Sequence, residues 1–118
     1  MQRTKKISRI VIIDDTYKFT KDAVTTALDK LKQPTGVVVC DTKSVRAQTI
    51  SQVLRSAGFM PATESEHFTD QLRKKNALEQ VAHFIKYYQV VFLIYPHNSV
   101  DLCYQDAVDL SQDVITIH

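Results

Sequence analysis

Three short apolar runs in this chain end on residues that could do chemistry. Asp14-Asp15 follows Ile10-Val11-Ile12-Ile13, Asp41-Thr42 follows Val37-Val38-Val39-Cys40, and Tyr95-Pro96-His97 follows Val90 to Ile94. A fourth run, Val114-Ile115-Thr116-Ile117, carries a threonine near its end. Carboxylates are hard oxygen ligands suited to Mg²⁺. Crowded together, they raise one another's pKa or recruit a cation. If the first two strands are neighbours, Asp14, Asp15 and Asp41 share one edge and form a candidate Mg²⁺ site. The ligand-binding candidates are therefore Asp14, Asp15, Asp41, Thr42, His97 and Thr116. The plainer reading is that one acid caps the following helix while the others face water. His97 follows a strand, as a general base can, but no cysteine or serine partner is visible in the sequence. No catalytic residue is assigned.

Positioning these groups requires the runs to be strands. All four are short, the first three are continuously apolar and the last is interrupted only by Thr116, and three of them are rich in β-branched residues, as buried strands are. Between the first two, Thr20 precedes a helical spacing of Ala23, Val24, Ala27, Leu28 and Leu31, and Gln33-Pro34-Thr35-Gly36 breaks it. The next helix is expected from about Ser44 to Ser56, with Gly58 as its C-terminal cap. Phe59 to Thr63 reads as a short third strand that Pro61 confines to an edge. A long helix or broken pair is expected from about Ser65 to Tyr87, with Asn76 at the break. Pro96-His97-Asn98 then turns the chain into a helix carrying Val100, Leu102, Cys103, Ala107, Val108 and Leu110.

The order β-α-β-α-β-α-β-α-β, with continuous apolar strands, predicts an α/β three-layer sandwich. Its sheet is mostly parallel, of about five strands, with helices on both faces. Sites in such sheets gather at the carboxyl ends of the strands. At 118 residues and 44% hydrophobic, the chain can build one ordinary core. Residues 1–9 read as a basic N-terminal arm, with Arg3, Lys5, Lys6 and Arg9, and residues 10–118 as a single domain. A net charge of +2 does not by itself argue for nucleic acid. Contact with nucleic acid through the arm is the third reading considered. Cys40, in an apolar run, is expected to be buried, and no ligand spacing for zinc is present. The apolar run after the basic arm is too short for a signal peptide, and none approaches a membrane span. The cytoplasm is the default compartment. An ending inside a strand pattern suggests a domain of a longer protein.

From Val37 onward the chain resembles the receiver domain of two-component response regulators. "VVVCDTKSVRAQTISQVLRSAGF" is similar to that family's first strand, acidic pair and first helix, including the Ala-Gly-aromatic turn. "ALEQVAHFIKYYQVVFLIYP" resembles the second helix, third strand and following proline. "DAVDLSQDVITIH" resembles the end of the third helix and the fourth strand, with Thr116 at the family's strand-end Thr or Ser. Receivers hold Mg²⁺ with acids after the first strand and phosphorylate an Asp at the end of the third. Here Thr42 replaces one acid, and the third strand has no Asp. The resemblance therefore implies a receiver-like or flavodoxin-like fold without the family's phosphorylation. The N-terminal unit "IVIIDDTYKFTKDAVTTALDKLKQ", read as the family's last strand and helix, would make the fold permuted or rearranged.

Two further resemblances compete. "CDTKSVRAQTI" with "VVFLIYPHNSVDL" is similar to the Toprim nucleotidyl-transfer domain, with Asp41 as its first acid. Its later acid pair falls on Tyr95 and His97, poor ligands for a hard cation. "IVIIDDTYKFTKDAVTTAL" resembles the ribose-binding segment of phosphoribosyltransferases but lacks the loop glycines that admit a phosphate. The expected function is a non-catalytic, receiver-like regulatory domain working through protein contacts, with a homodimer among its partners. Tyr87, Tyr88 and Tyr95 are the candidate anchors. The alternative is a small Mg²⁺-dependent or nucleotide-binding enzyme using Asp14, Asp15 and Asp41.

Overall fold

The computed structural model describes residues 8–18, 22, 35–110 and 112–117. Five parallel strands form one sheet: β1 (Arg9–Asp14), β2 (Gly36–Cys40), β3 (Met60–Pro61), β4 (Val90–Tyr95) and β5 (Asp113–Ile117). Their order is β3-β2-β4-β1-β5. Among the described residues the α-helices that accompany them are α1 (Val45–Ser56), α2 (Asp70–Arg73), α3 (Ala77–Phe84) and α4 (Val100–Val108). The α/β architecture expected from the alternating pattern is the one observed. The helix expected over residues 23–31 and most of the basic arm lie outside the described residues.

The central strands are apolar throughout because both faces are covered. Ile10, Ile12, Val37, Val39, Val91 and Leu93 pack beneath α3 and α4, against Val81, Phe84, Val100, Cys103 and Ala107. Val11, Ile13, Val38, Val90, Phe92 and Ile94 face the other way, onto Ala47, Ile50 and Leu54 of α1. The faces follow from direction. β2 to β3 steps outward over α1, whereas β3 to β4 and β4 to β5 step back over α3 and α4. A single crossover handedness places such helices on opposite faces.

Local chemistry sets the element ends. The Ser44 hydroxyl accepts from the Ala47 amide (3.1 Å) at the start of α1. At its end Gly58 has φ +102°, with Gly58 N–H donating to Arg55 O and Phe59 N–H to Leu54 O, each at 3.0 Å. This pair of hydrogen bonds is a Schellman closure, with Gly58 as the C-terminal cap that the sequence led one to expect. Of the long helix or broken pair expected from about Ser65 to Tyr87, the broken pair is observed. Asn76 caps α3 by accepting from the Glu79 amide (2.9 Å), which ends any continuation from α2. Pro61 lies in the two-residue edge strand β3.

Two expectations are corrected. Arg9, read as the end of a basic arm, is the first residue of β1, and Ser8 immediately precedes that strand. The buried Ser8 hydroxyl lies 2.7 Å from Ile85 O and 2.9 Å from Tyr88 O, and Arg9 Nε pairs with Asp113 at 2.7 Å. Cys40 is exposed rather than buried, because it is the last residue of β2 and sits at the sheet's carboxyl edge, where its thiol donates to Thr42 O. No helix among the described residues is long and apolar enough to cross a membrane.

The β3-β2-β4 half matches the 2-1-3 half of the flavodoxin-like order 2-1-3-4-5. The other half does not follow that order. The N-terminal strand β1 takes the fourth position, between β4 and β5, and β5 takes the outer edge.

Candidate functional site

The strand order decides which acids meet. β1 and β2 are not neighbours; β4 lies between them, with Asp14 opposite Tyr95 and Cys40 opposite Ile94. Strands are spaced about 4.8 Å apart, so Asp14 and Asp41 are separated by roughly twice that distance across the sheet. The assumption that put Asp14, Asp15 and Asp41 on adjacent strands does not hold. Among the described residues, no three His, Cys, Asp or Glu side chains are grouped as a metal ion would need.

Asp14 instead meets His97. Asp14 closes β1 and is only 2% exposed. Its Oδ1 accepts from the Thr16 amide (2.8 Å) and the Thr16 hydroxyl (2.7 Å), an Asx turn that the backbone bond from Tyr17 N–H to Asp14 O (3.0 Å) continues. Its Oδ2 bonds His97 Nδ1. The backbone around His97 is held as well. The His97 amide donates to Asp15 Oδ1 (3.0 Å), and the Asp15 amide donates to Tyr95 O (3.1 Å). The loops after β1 and β4 are thus clasped through both side chain and main chain.

Charge follows this geometry. Burial pushes the Asp14 carboxyl up, but the bonds from Thr16 and His97 outweigh it and hold the group below the ordinary 3.8. The Asp14 bond and its negative charge raise the His97 imidazole above 6.5, and the Asp15 and Asp101 charges add to this. The pair joins a buried acid to an exposed base, each shifted toward its charged form. Because Nδ1 is committed to Asp14, Nε2 is the ring nitrogen left for anything approaching the exposed face of His97.

The remaining candidates sit apart from this pair. Asp41 is exposed, its amide donates to Ile94 O (2.9 Å), and desolvation raises its carboxyl. The Thr42 hydroxyl accepts from the Ser44 amide (3.3 Å), shaping the entry to α1. Thr116 is opposite Ile12, two registers short of Asp14. Burial raises the Tyr95 hydroxyl, with Cys103, Asp41 and Asp106 contributing.

Tyr87 and Tyr88 lie at the opposite, amino edge of β4. Tyr88 is half-buried, with its hydroxyl 2.6 Å from Ser65 Oγ. Tyr87 is exposed and stacks on His67 with ring centroids 3.8 Å apart. Thr16 was not among the sequence candidates. The signal available was a hydroxyl two residues after a strand-end Asp, the spacing of an Asx turn.

Compared with family models, curated proteins and solved structures, the chain matches none.

Proposed function

We propose that this chain is a non-catalytic, receiver-like recognition domain that works through protein contacts without a metal-dependent phosphorylation cycle. The observation carrying this reading is the Asp14–His97 pair. The most buried acid of the carboxyl edge is already bonded by an imidazole of the protein's own, and each group is shifted toward its charged form, which offsets the carboxylate without Mg²⁺. The third-position strand β4 supports the same reading, ending in Tyr95 where a phospho-acceptor would need a carboxylate. A cytoplasmic setting and a protein partner are part of the proposal.

The test is a Mg²⁺ titration followed by amide NMR shifts, with intact-mass measurement after exposure to a small acyl phosphate. The expected result is no saturable shift around Asp14, Asp15 and Asp41, and an unchanged mass. Saturable shifts confined to those residues, or a mass gain of one phosphoryl group, would overturn the proposal.

The same pair favours one second reading, an acid–base enzyme. A buried carboxylate on Nδ1 and an open Nε2 make up the orienting half of a hydrolytic triad. His97→Gln separates the two readings, because it would abolish an enzymatic turnover but leave a recognition surface elsewhere on the domain intact.

A further inference from the structure

The two edges of the sheet are built differently. β3 is two residues long and contains Pro61, both of which discourage further pairing. β5 is five residues long, Asp-Val-Ile-Thr-Ile, and has no proline, lysine or glycine. It pairs with β1 on one side, and no strand among the described residues lies on the other. Val114 packs on the α3–α4 side of the core, and Ile115 and Ile117 on the α1 side, each only partly covered. A β-branched edge with no strand against it among the described residues is a template for another strand.

The hydrogen-bonding phase of β5 is fixed. The Asp113 amide donates to Ser8 O at 3.3 Å, so Asp113 points its backbone groups toward β1. Alternation along a strand then turns Ile115 and Ile117 toward β1 and leaves the N–H and C=O of Val114 and Thr116 directed outward. These two residues are symmetric about Ile115.

We propose that β5 is a self-association edge, on which a second copy of this chain adds its own β5 antiparallel about a twofold axis at Ile115. In that register Val114 of one copy faces Thr116 of the other, and each such pair exchanges both N–H···O bonds. Ile115 meets Ile115 on the α1 side, joining the two cores. Asp113, the only charged residue of the strand, falls opposite Ile117 and not opposite its own copy, so no like charges meet. The contact is isologous and closes after two copies, whereas the proline-bearing β3 edge stops growth of the sheet. The β5 edge is separate from the Asp14–His97 pair, which joins the end of β1 to the loop after β4, and does not depend on that pair's role.

The experiment is sedimentation equilibrium of the full chain over a range of concentrations, joined to amide hydrogen exchange. The expected mass rises toward twice the 13.5 kDa of one chain, and the Val114 and Thr116 amides become protected as it rises. Thr116→Pro removes an outward N–H without touching a bond to β1, so it should hold the mass at one chain with an unchanged far-UV spectrum. Three results would overturn the proposal: a wild-type chain that stays single at every concentration, a dimer whose Val114 and Thr116 amides exchange freely, or a folded Thr116→Pro variant that still dimerises. If the variant does not fold, the wild-type exchange pattern alone decides.

Discussion

Asp14 and His97, 83 positions apart in the chain, share a hydrogen bond between Oδ2 and Nδ1 that ties the end of β1 to the loop after β4. Both pKa values move toward the charged forms. The sign of the stability effect follows from each shift. His97 is raised, so its contribution is fully present below 6.5 and is lost as pH rises through the elevated folded value. Asp14 is lowered, so its contribution is present above 3.8 and is lost as pH falls through the depressed folded value. The melting temperature of the wild-type chain should therefore exceed that of His97→Gln most clearly between those limits. The gap should narrow toward both extremes. A gap that is flat across the whole range would mean that the pair does not couple to folding.

Asp14→Asn tests the pair from inside. The amide keeps the shape but loses the charge that raises His97, so the His97 NMR titration midpoint should fall back toward 6.5. The buried carboxylate accepts from Thr16 and His97 at once. Losing its charge-assisted bonds should cost roughly 1.5–3 kcal/mol of unfolding free energy by urea denaturation. An unmoved His97 midpoint would show that the imidazole takes its shift from Asp15 and Asp101 instead.

Legibility in the sequence stopped at adjacency. Strand positions, the Asn76 break, the Gly58 cap and the edge placement of Pro61 were readable because each depends on a few consecutive residues. Asp14, Asp15 and His97 were readable as candidates because each follows an apolar run. Their partners were not, because the chain does not lay its strands down in sequence order. With β4 inserted between β1 and β2, the neighbour of Asp14 is His97, far along the chain, and Asp41 is moved away. Cys40 was misplaced for a related reason. Its apolar neighbours belong to the strand interior, whereas it is itself the residue where the strand leaves the core.

Gly58→Ala isolates a backbone effect. Nothing lies within 4 Å of where the new Cβ would sit, so sterics with the rest of the protein do not contribute. The left-handed φ of +102° does, because an L side chain crowds its own carbonyl there. The substitution should lower stability by about 1–2 kcal/mol with the α1 face otherwise unchanged. Urea denaturation gives the first figure, and methyl NMR shifts of Ile50 and Leu54 check the second. A loss of more than that, with moved methyl shifts, would mean that the Phe59 anchor had been displaced too.

Gly36→Ala probes the opposite situation, a glycine that has ordinary conformation but no room. A Cβ at this position would sit 2.4 Å from Phe59 Cδ1 and 2.7 Å from Val90 Cγ1. Phe59 cannot yield freely, since its ring packs against Phe92 with centroids 4.8 Å apart and both belong to the α1-side core. Val90 is fully buried in β4, one strand away. Overpacking of a closed core costs typically 1–3 kcal/mol, and Gly36→Ala should lose about that much. Phe59→Leu on top of Gly36→Ala should recover part of the loss, because the smaller side chain vacates the space that the new methyl needs. A double-mutant cycle by urea denaturation reads this coupling. Strict additivity of the two changes would show that the strain is taken up by β4, not by the Phe59 ring.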